Sequence, residues 1–211
     1  MAEALLEVRQ LSRRFAAIDA LQAVDFNVEA GEVHALIGPN GAGKTTFIHH
    51  VSGAMTPDSG SVHFGGTDVT ALSMHQRVAA GMAEQRLFEE ARDFLEQVGL
   101  GSRNETVASK LAHGEQRALE LAMALATKPR MLLLDEPMAG AGPEESAHMV
   151  ELIEKLARHV TILLVEHDMA AVFRLADRIS VLVNGQLICT GEPEAVRANP
   201  EVRRAYLGDH L

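Results

Sequence analysis

Alternating apolar and polar residues at Leu5–Val8 and Val24–Val28 predict short half-buried strands, and the run Glu32–Ile37 predicts an apolar strand entering a glycine-rich turn. A helix is expected next, from Lys44 to about Gly53. Thr56–Gly60 is a turn of Pro, Asp, Ser and Gly, Ser61–Phe64 a strand, and Gly65-Gly66 a second turn. Leu87, Phe88, Ala91, Phe94, Leu95 and Val98 then recur at helical spacing, which predicts a helix over Arg86–Val98 that stops at Gly99. Gln116–Thr127 predicts another helix, ended by Pro129.

In the second half, Met131–Leu134 is a continuous apolar run of the buried-strand type, Glu144–Arg158 a helix, and Val160–Val165 a second buried strand. Strand, helix and strand at this spacing make a parallel crossover. Ile179–Val183 and Leu187–Thr190 flank Asn184-Gly185, a strong hairpin signal. From Pro193 to Leu211 short helices are expected around Pro200. No internal repeat or low-complexity linker interrupts the pattern, so a single α/β domain of mixed sheet and flanking helices is the expected fold.

Composition narrows the function classes. A length of 211 residues, 47% of them hydrophobic, suffices for one well-buried core. A net charge of −10, with no Lys/Arg cluster, opposes binding to DNA or RNA. Cys189 is the only cysteine, which leaves neither a disulfide framework nor metal-ligand Cys spacing. No apolar run reaches bilayer length, and the first ten residues lack the pattern of a signal peptide, so membrane contact is expected only through a partner.

Chemistry concentrates at three places. Gly38, Pro39, Asn40, Gly41, Ala42, Gly43, Lys44 and Thr45 match the phosphate-loop pattern between a predicted strand and a predicted helix. Glycines let backbone N–H groups face phosphate oxygens, Lys44 reaches the β/γ-phosphates, and Thr45 offers a hydroxyl to Mg2+. ATP is thus expected against the backbone of Asn40–Thr46. Asp135 and Glu136 end an apolar strand, where a doubly wound sheet places its ligands. Asp135 reads as the acid that holds Mg2+ through water, and Glu136 as the general base for the attacking water. An acidic pair after a strand can also be an ordinary cap; the phosphate loop upstream decides for the metal site. His167 ends the next buried strand, and it can sense the γ-phosphate if that strand lies beside the strand of Asp135. Otherwise it is merely the start of a capped helix.

Over nearly its whole length the chain resembles the ATP-binding subunits of ABC transporters. Leu111, Ala112, His113, Gly114, Glu115, Gln116 and Arg117 stand where that family has its Leu-Ser-Gly-Gly-Gln signature before a helix. His167 stands at the family's switch histidine, and Phe15 matches the aromatic that stacks on adenine. The resemblance implies a transport ATPase using ATP and Mg2+, with a second ATPase subunit, homodimeric or paralogous, whose signature covers this chain's nucleotide. It further implies integral-membrane permease subunits, an indirectly coupled solute-binding protein, and a peripheral place at the cytoplasmic face of the plasma membrane. A chromosome or DNA-repair relative would carry a long coiled-coil insertion between Lys44 and Leu111, and a translation factor would carry two such domains.

Several departures stand out. Ala112 replaces the signature serine and Glu115 the glutamine, which leaves the backbone donors and helix start at Gly114–Arg117 to grip an anion across an interface. Gly142, in Ala139-Gly-Ala-Gly142-Pro143, stands where relatives have an acid or asparagine. Leu-Ala-His-Gly and the ending Asn199-Pro-Glu-Val-Arg-Arg-Ala-Tyr206-Leu-Gly resemble the branch that imports branched-chain amino acids or urea. Met82-Ala-Glu-Gln85 runs straight into the predicted helix, where relatives insert a loop with a magnesium-contacting glutamine; Gln85 is given no such role. The expected division is a nucleotide-binding core of 1–83 and 128–211, with 84–127 the remnant of a helical subdomain. If a segment is missing from the sequence, a break in the chain is expected between Met82 and Glu90.

Overall fold

The protein is described by a computed structural model covering residues 4–73, 76–77 and 93–207. Among the described residues two sheets form its frame. The first is antiparallel, in the order β2-β1-β4-β5, from β1 (Ala4–Phe15), β2 (Ile18–Glu29), β4 (Ser59–Phe64) and β5 (Thr67–Asp68). The second runs β6-β7-β3-β8-β9, from β3 (Val33–Ile37), β6 (Met131–Asp135), β7 (Thr161–Val165), β8 (Arg178–Val183) and β9 (Gln186–Gly191). Its first four strands are parallel and β9 is antiparallel to β8. Among the described residues, the helices that frame the sheets are α1 (Lys44–Ser52), α2 (His113–Ala126), α3 (Pro143–Ala157), α4 (Met169–Leu175), α5 (Pro193–Ala198) and the single turn α6 (Pro200–Val202).

The twofold periodicity of strands explains how β7 is buried on both faces. Leu163 and Val165 join Leu6, Val8, Phe26, Phe47 and Leu182 in the core between the two sheets and α1, while Ile162 and Leu164 join α2 and α3 on the other side. Ala35 and Ile37 of β3 face a third cluster with Val172, Ile179 and Val196. The central strands are thereby fixed in register, and their carboxyl ends open together on one edge.

Strands β1 and β2 are far longer than the short segments their alternation predicts, because register shifts along the hairpin interrupt the period. Helix α2 begins at His113, three residues before the predicted start, since the Glu115 carboxylate accepts the Ala112 N–H (2.9 Å) and caps the opening turn. β6 corrects the expectation of a fully buried strand. Among the described residues it is an edge strand on which Leu132 alone of Met131–Leu134 is buried, while Leu133 and Leu134 border a cleft of about 800 Å3. Residues 93–97 are helical, as the Arg86–Val98 pattern predicts. The start of that helix, Gln85 and the Met82–Glu90 stretch lie outside the described residues.

At the opposite ends of the strands a polar chain runs from half-buried Glu32 through the buried His34 and Ser180 to Thr190 at the surface. Glu32 contacts His34 Nδ1 (3.0 Å), His34 Nε2 contacts Ser180 Oγ (2.8 Å), and Ser180 contacts Thr190 Oγ1 (2.7 Å), which pins β3 to β8 and β9. Burial works to raise the Glu32 carboxyl, but His34, the Glu29 N–H and the Arg178 guanidinium outweigh it and hold the group below its ordinary value. Such a carboxylate contributes stability above its unfolded pKa and loses it as pH falls through the folded one. The stability gap between wild type and Glu32→Gln should therefore be constant near neutrality and shrink in acid. Denaturant melts over a pH series measure it, and a gap that stays flat into acid would remove Glu32 ionisation from the account.

Candidate nucleotide site

Gly38 follows the buried strand β3, and a Cβ there would lie 1.9 Å from the Leu182 carbonyl oxygen, so only glycine lets the loop press against β8. Gly43 caps α1 at φ 103°, a conformation side chains resist, and its Cβ would meet the Ala20 oxygen of β2 at 2.4 Å. From behind, the hairpin turn supports the loop: Gly185 N–H donates to Ala42 O (2.9 Å) and Gln22 N–H to Gly185 O (2.9 Å). Asn184 and Gly185 both have positive φ, as the predicted tight turn requires. The Asn184-Gly185 signal thus carries a second consequence, a buttress for the phosphate loop.

Within the loop, the buried Lys44 ammonium donates to Gly38 O (2.8 Å) and Pro39 O (3.1 Å). Desolvation lowers its pKa, against the pull of Glu136 and Asp135. Asn40, Gly41 and Thr45 are exposed, Pro39 and Thr46 half-buried, and Ala42 is buried against the core. Exposed loop residues and a helix start therefore lie over a buried cation, which is the chemistry of an anion site.

Asp135 ends β6 opposite Val165 of β7, so the two strands are neighbours, as the sensor role of His167 requires. Glu136 follows at φ 49°, with its N–H on Val165 O (2.8 Å). A left-handed glutamate costs about 1–3 kcal/mol, a strain that clusters at functional sites. Desolvation, with the Glu136 carboxylate beside it, pushes the Asp135 carboxyl up, while His49 and Lys44 pull it down. His167 Nδ1 lies 3.1 Å from Glu166 Oε1 and 3.8 Å from Glu136 Oε1, which puts Nε2 on the far side of the ring. Helix capping falls to Asp168, whose carboxylate accepts Ala170 N–H (3.0 Å) and Ala171 N–H (3.2 Å). His167 is free of that duty.

The structure thus brings Gly38–Thr46, Asp135, Glu136 and His167 to the carboxyl ends of β3, β6 and β7. Phe15 sits at the tip of the β1–β2 hairpin, with the Arg13 guanidinium 4.9 Å above its ring; Ala20 and Leu21 of the same hairpin touch the loop. The signature segment is a separate group. Leu111 is buried, Ala112 exposed, His113 opens α2, and a Cβ on Gly114 would lie 3.3 Å from the Glu145 carboxyl. Glu115 turns back to Ala112 N–H and to Arg103 (3.1 Å), which hold its carboxyl below the ordinary value. Among the described residues no hydrogen bond or ion pair joins this segment to the phosphate loop. Two residues not singled out for the site's interior also matter: Glu166, which holds His167, and Arg117, whose guanidinium bonds Pro137 O (2.7 Å). Their sequence signals were slight, an acid before a histidine and a cation one turn into a helix.

Comparison with known proteins agrees with this fold. The ABC transporter family model matches residues 21–139, and the model of the branched-chain amino acid ATP-binding cassette transporter matches 186–211. The high-affinity branched-chain amino acid transport ATP-binding protein LivG of Escherichia coli is 35% identical, with 99% of this chain and 100% of that protein covered. BraF of Pseudomonas aeruginosa, described in the same words, is 34% identical over the same shares. The lipopolysaccharide export system ATP-binding protein LptB of Acidithiobacillus ferridurans is 32% identical over 98% of each. In structure, the ADP conformation of MJ1267, an ATP-binding cassette of an ABC transporter, superimposes with a TM-score of 0.90 at 26% identity, covering 99% of this chain and 100% of that one. The LivG alignment spans 254 positions against 211 residues here, so at least 43 of them fall opposite gaps in this chain. With the loop, the acidic strand end and the histidine at one edge, and the match running the whole length, the chain belongs to the ATP-binding ATPases of ABC transporters, in their branched-chain amino acid group.

Proposed function

We propose that the chain is the motor of an importer for branched-chain amino acids or a related small polar solute, driven by ATP held at Gly38–Thr46. The observation that carries this reading is the meeting of Lys44, Asp135, Glu136 and His167 at one sheet edge. ATP phosphates lie against the backbone of Asn40–Thr46, with Lys44 on the terminal oxygens and Phe15 under the adenine. Glu136 polarises the attacking water, and His167 offers Nε2 to the terminal phosphate. Thr45 and Asp135 are hard oxygen donors in a crowded acidic corner, and this fits Mg2+, which takes one or two protein oxygens beside phosphates and water. Held there, Mg2+ would supply positive charge to offset that of the phosphates.

A second copy or paralogue lays its Leu111–Glu115 signature over the nucleotide, with backbone donors in place of the serine lost at Ala112. Permease subunits, a solute-binding protein and the cytoplasmic membrane face complete the assignment. Among the described residues no helix is long and apolar enough to cross a membrane. Residues 1–83 and 128–211 serve as nucleotide core and 84–127 as the shortened helical subdomain. The positions opposite gaps favour a second reading, an ATP-binding regulatory module without full transport coupling. The test is Mg-ATP binding by calorimetry with Lys44→Ala, joined to solute uptake in vesicles carrying the permease. Lost binding in the variant with uptake by the wild type is expected. Binding unaffected by the substitution would overturn the site, and ATP hydrolysis without uptake would select the regulatory reading.

A further inference from the structure

Glu166 is fully buried at the end of β7, and none of the steps above uses it. Its Oε1 accepts His167 N–H (2.8 Å) and Asp168 N–H (3.3 Å) and lies 3.1 Å from His167 Nδ1. Its Oε2 accepts Met138 N–H (3.3 Å). From the other side, Arg117 of α2 donates to Pro137 O (2.7 Å) and to Ala139 O. The turn Pro137–Ala139 is therefore gripped by a cation on its carbonyls and an anion on its N–H. That turn starts at Glu136, whose carbonyl accepts Ala139 N–H (3.0 Å).

We propose that Glu166 and Arg117 act as one brace on the turn Pro137–Ala139, so that the seating of the signature helix sets the positions of Glu136 and His167. Glu166 is a positioning residue, and this role rests on the assignment of Glu136 and His167 to hydrolysis. The physical basis is continuity. Arg117 lies two residues beyond Glu115 on the signature helix, so a displacement of the helix start carries the guanidinium and the two carbonyls with it. Charge-assisted bonds in a water-poor interior are stiff and directional. One carboxylate accepts both Met138 N–H and His167 N–H and lies 3.1 Å from the ring's Nδ1, so movement of the turn is felt at the histidine. In a two-subunit site, where the signature reads the partner's nucleotide, the brace links that reading to hydrolysis of the chain's own ATP.

Glu166→Gln tests this, because an amide has one acceptor oxygen and cannot take N–H donors on both sides. Turnover of Mg-ATP by the full chain should fall by about 10–100-fold, the usual effect of misplacing reacting groups by an ångström, with nucleotide Kd changed less than about threefold. Arg117→Ala should give the same split, and Arg117→Lys, which keeps the charge but not the paired geometry, a milder one. The double variant Glu166→Gln/Arg117→Ala should be no slower than the slower single one. Unchanged turnover in either single variant, or multiplicative losses in the double, would overturn the brace. Should Glu166→Gln not fold, Arg117→Ala decides by itself: normal turnover overturns the proposal. Glu136→Gln in the same assay separates the two claims. If it is inert while Glu166→Gln is normal, the brace alone fails; if Glu136→Gln turns over normally, the hydrolytic assignment fails first.

Discussion

Glu136→Gln should bind Mg-ATP as the wild type does and hydrolyse it roughly 10²–10⁴-fold more slowly, the weight of a general base. The substitution keeps the side chain's size and its bond to Val165 O, which is made by the backbone N–H. It removes the carboxylate that would take the proton from water. Lys44 still bonds Gly38 and Pro39, so the phosphate cradle is intact and affinity is retained. Neutralising residue 136 also relieves Asp135, whose carboxyl is pushed up partly by that neighbour. Single-turnover hydrolysis beside equilibrium binding measures the pair of expectations. Near-normal hydrolysis would take the base role from Glu136.

The second large effect is expected at Gly38. Alanine there puts a methyl carbon where the Leu182 carbonyl oxygen stands only 1.9 Å away, at φ 154°. Strain and overpacking each cost of order 1–3 kcal/mol, so Gly38→Ala should lose roughly 2–6 kcal/mol of stability. Its phosphate loop must also shift off β8, and ATP affinity should fall with it. Gly41→Ala has open space around the new methyl group and bears only the φ 79° penalty, about 1 kcal/mol. Urea titration of the two variants compares them, and equal stabilities would mean that the Gly38–Leu182 contact does not constrain the loop.

What the sequence made legible was what local pattern encodes. The phosphate loop is a contiguous run whose strand and helix follow from the same residues. Asp135, Glu136 and His167 come together once β6 and β7 are adjacent, and the strand–helix–strand spacing foretold that adjacency. The partial exposure of β6 was not legible, because an apolar run reports the residue's nature and not what lies beside the strand. The lengths of β1 and β2 were lost where bulges break the twofold period. Glu166 and Arg117 escaped the interior of the site for a related reason: their partners Met138 and Pro137 are 28 and 20 residues away in sequence. Contacts of that separation are set by tertiary packing, which no window of residues contains.

The central claim is a nucleotide site completed by a second subunit. If, as proposed, ATP touches both subunits only when they are closed, blocking hydrolysis should trap the pair. The most direct test is light scattering of Glu136→Gln with and without saturating Mg-ATP. The account predicts the mass of two chains with nucleotide and of one without. A single-chain mass throughout, with nucleotide shown to be bound, would contradict a site completed by a second copy of this chain.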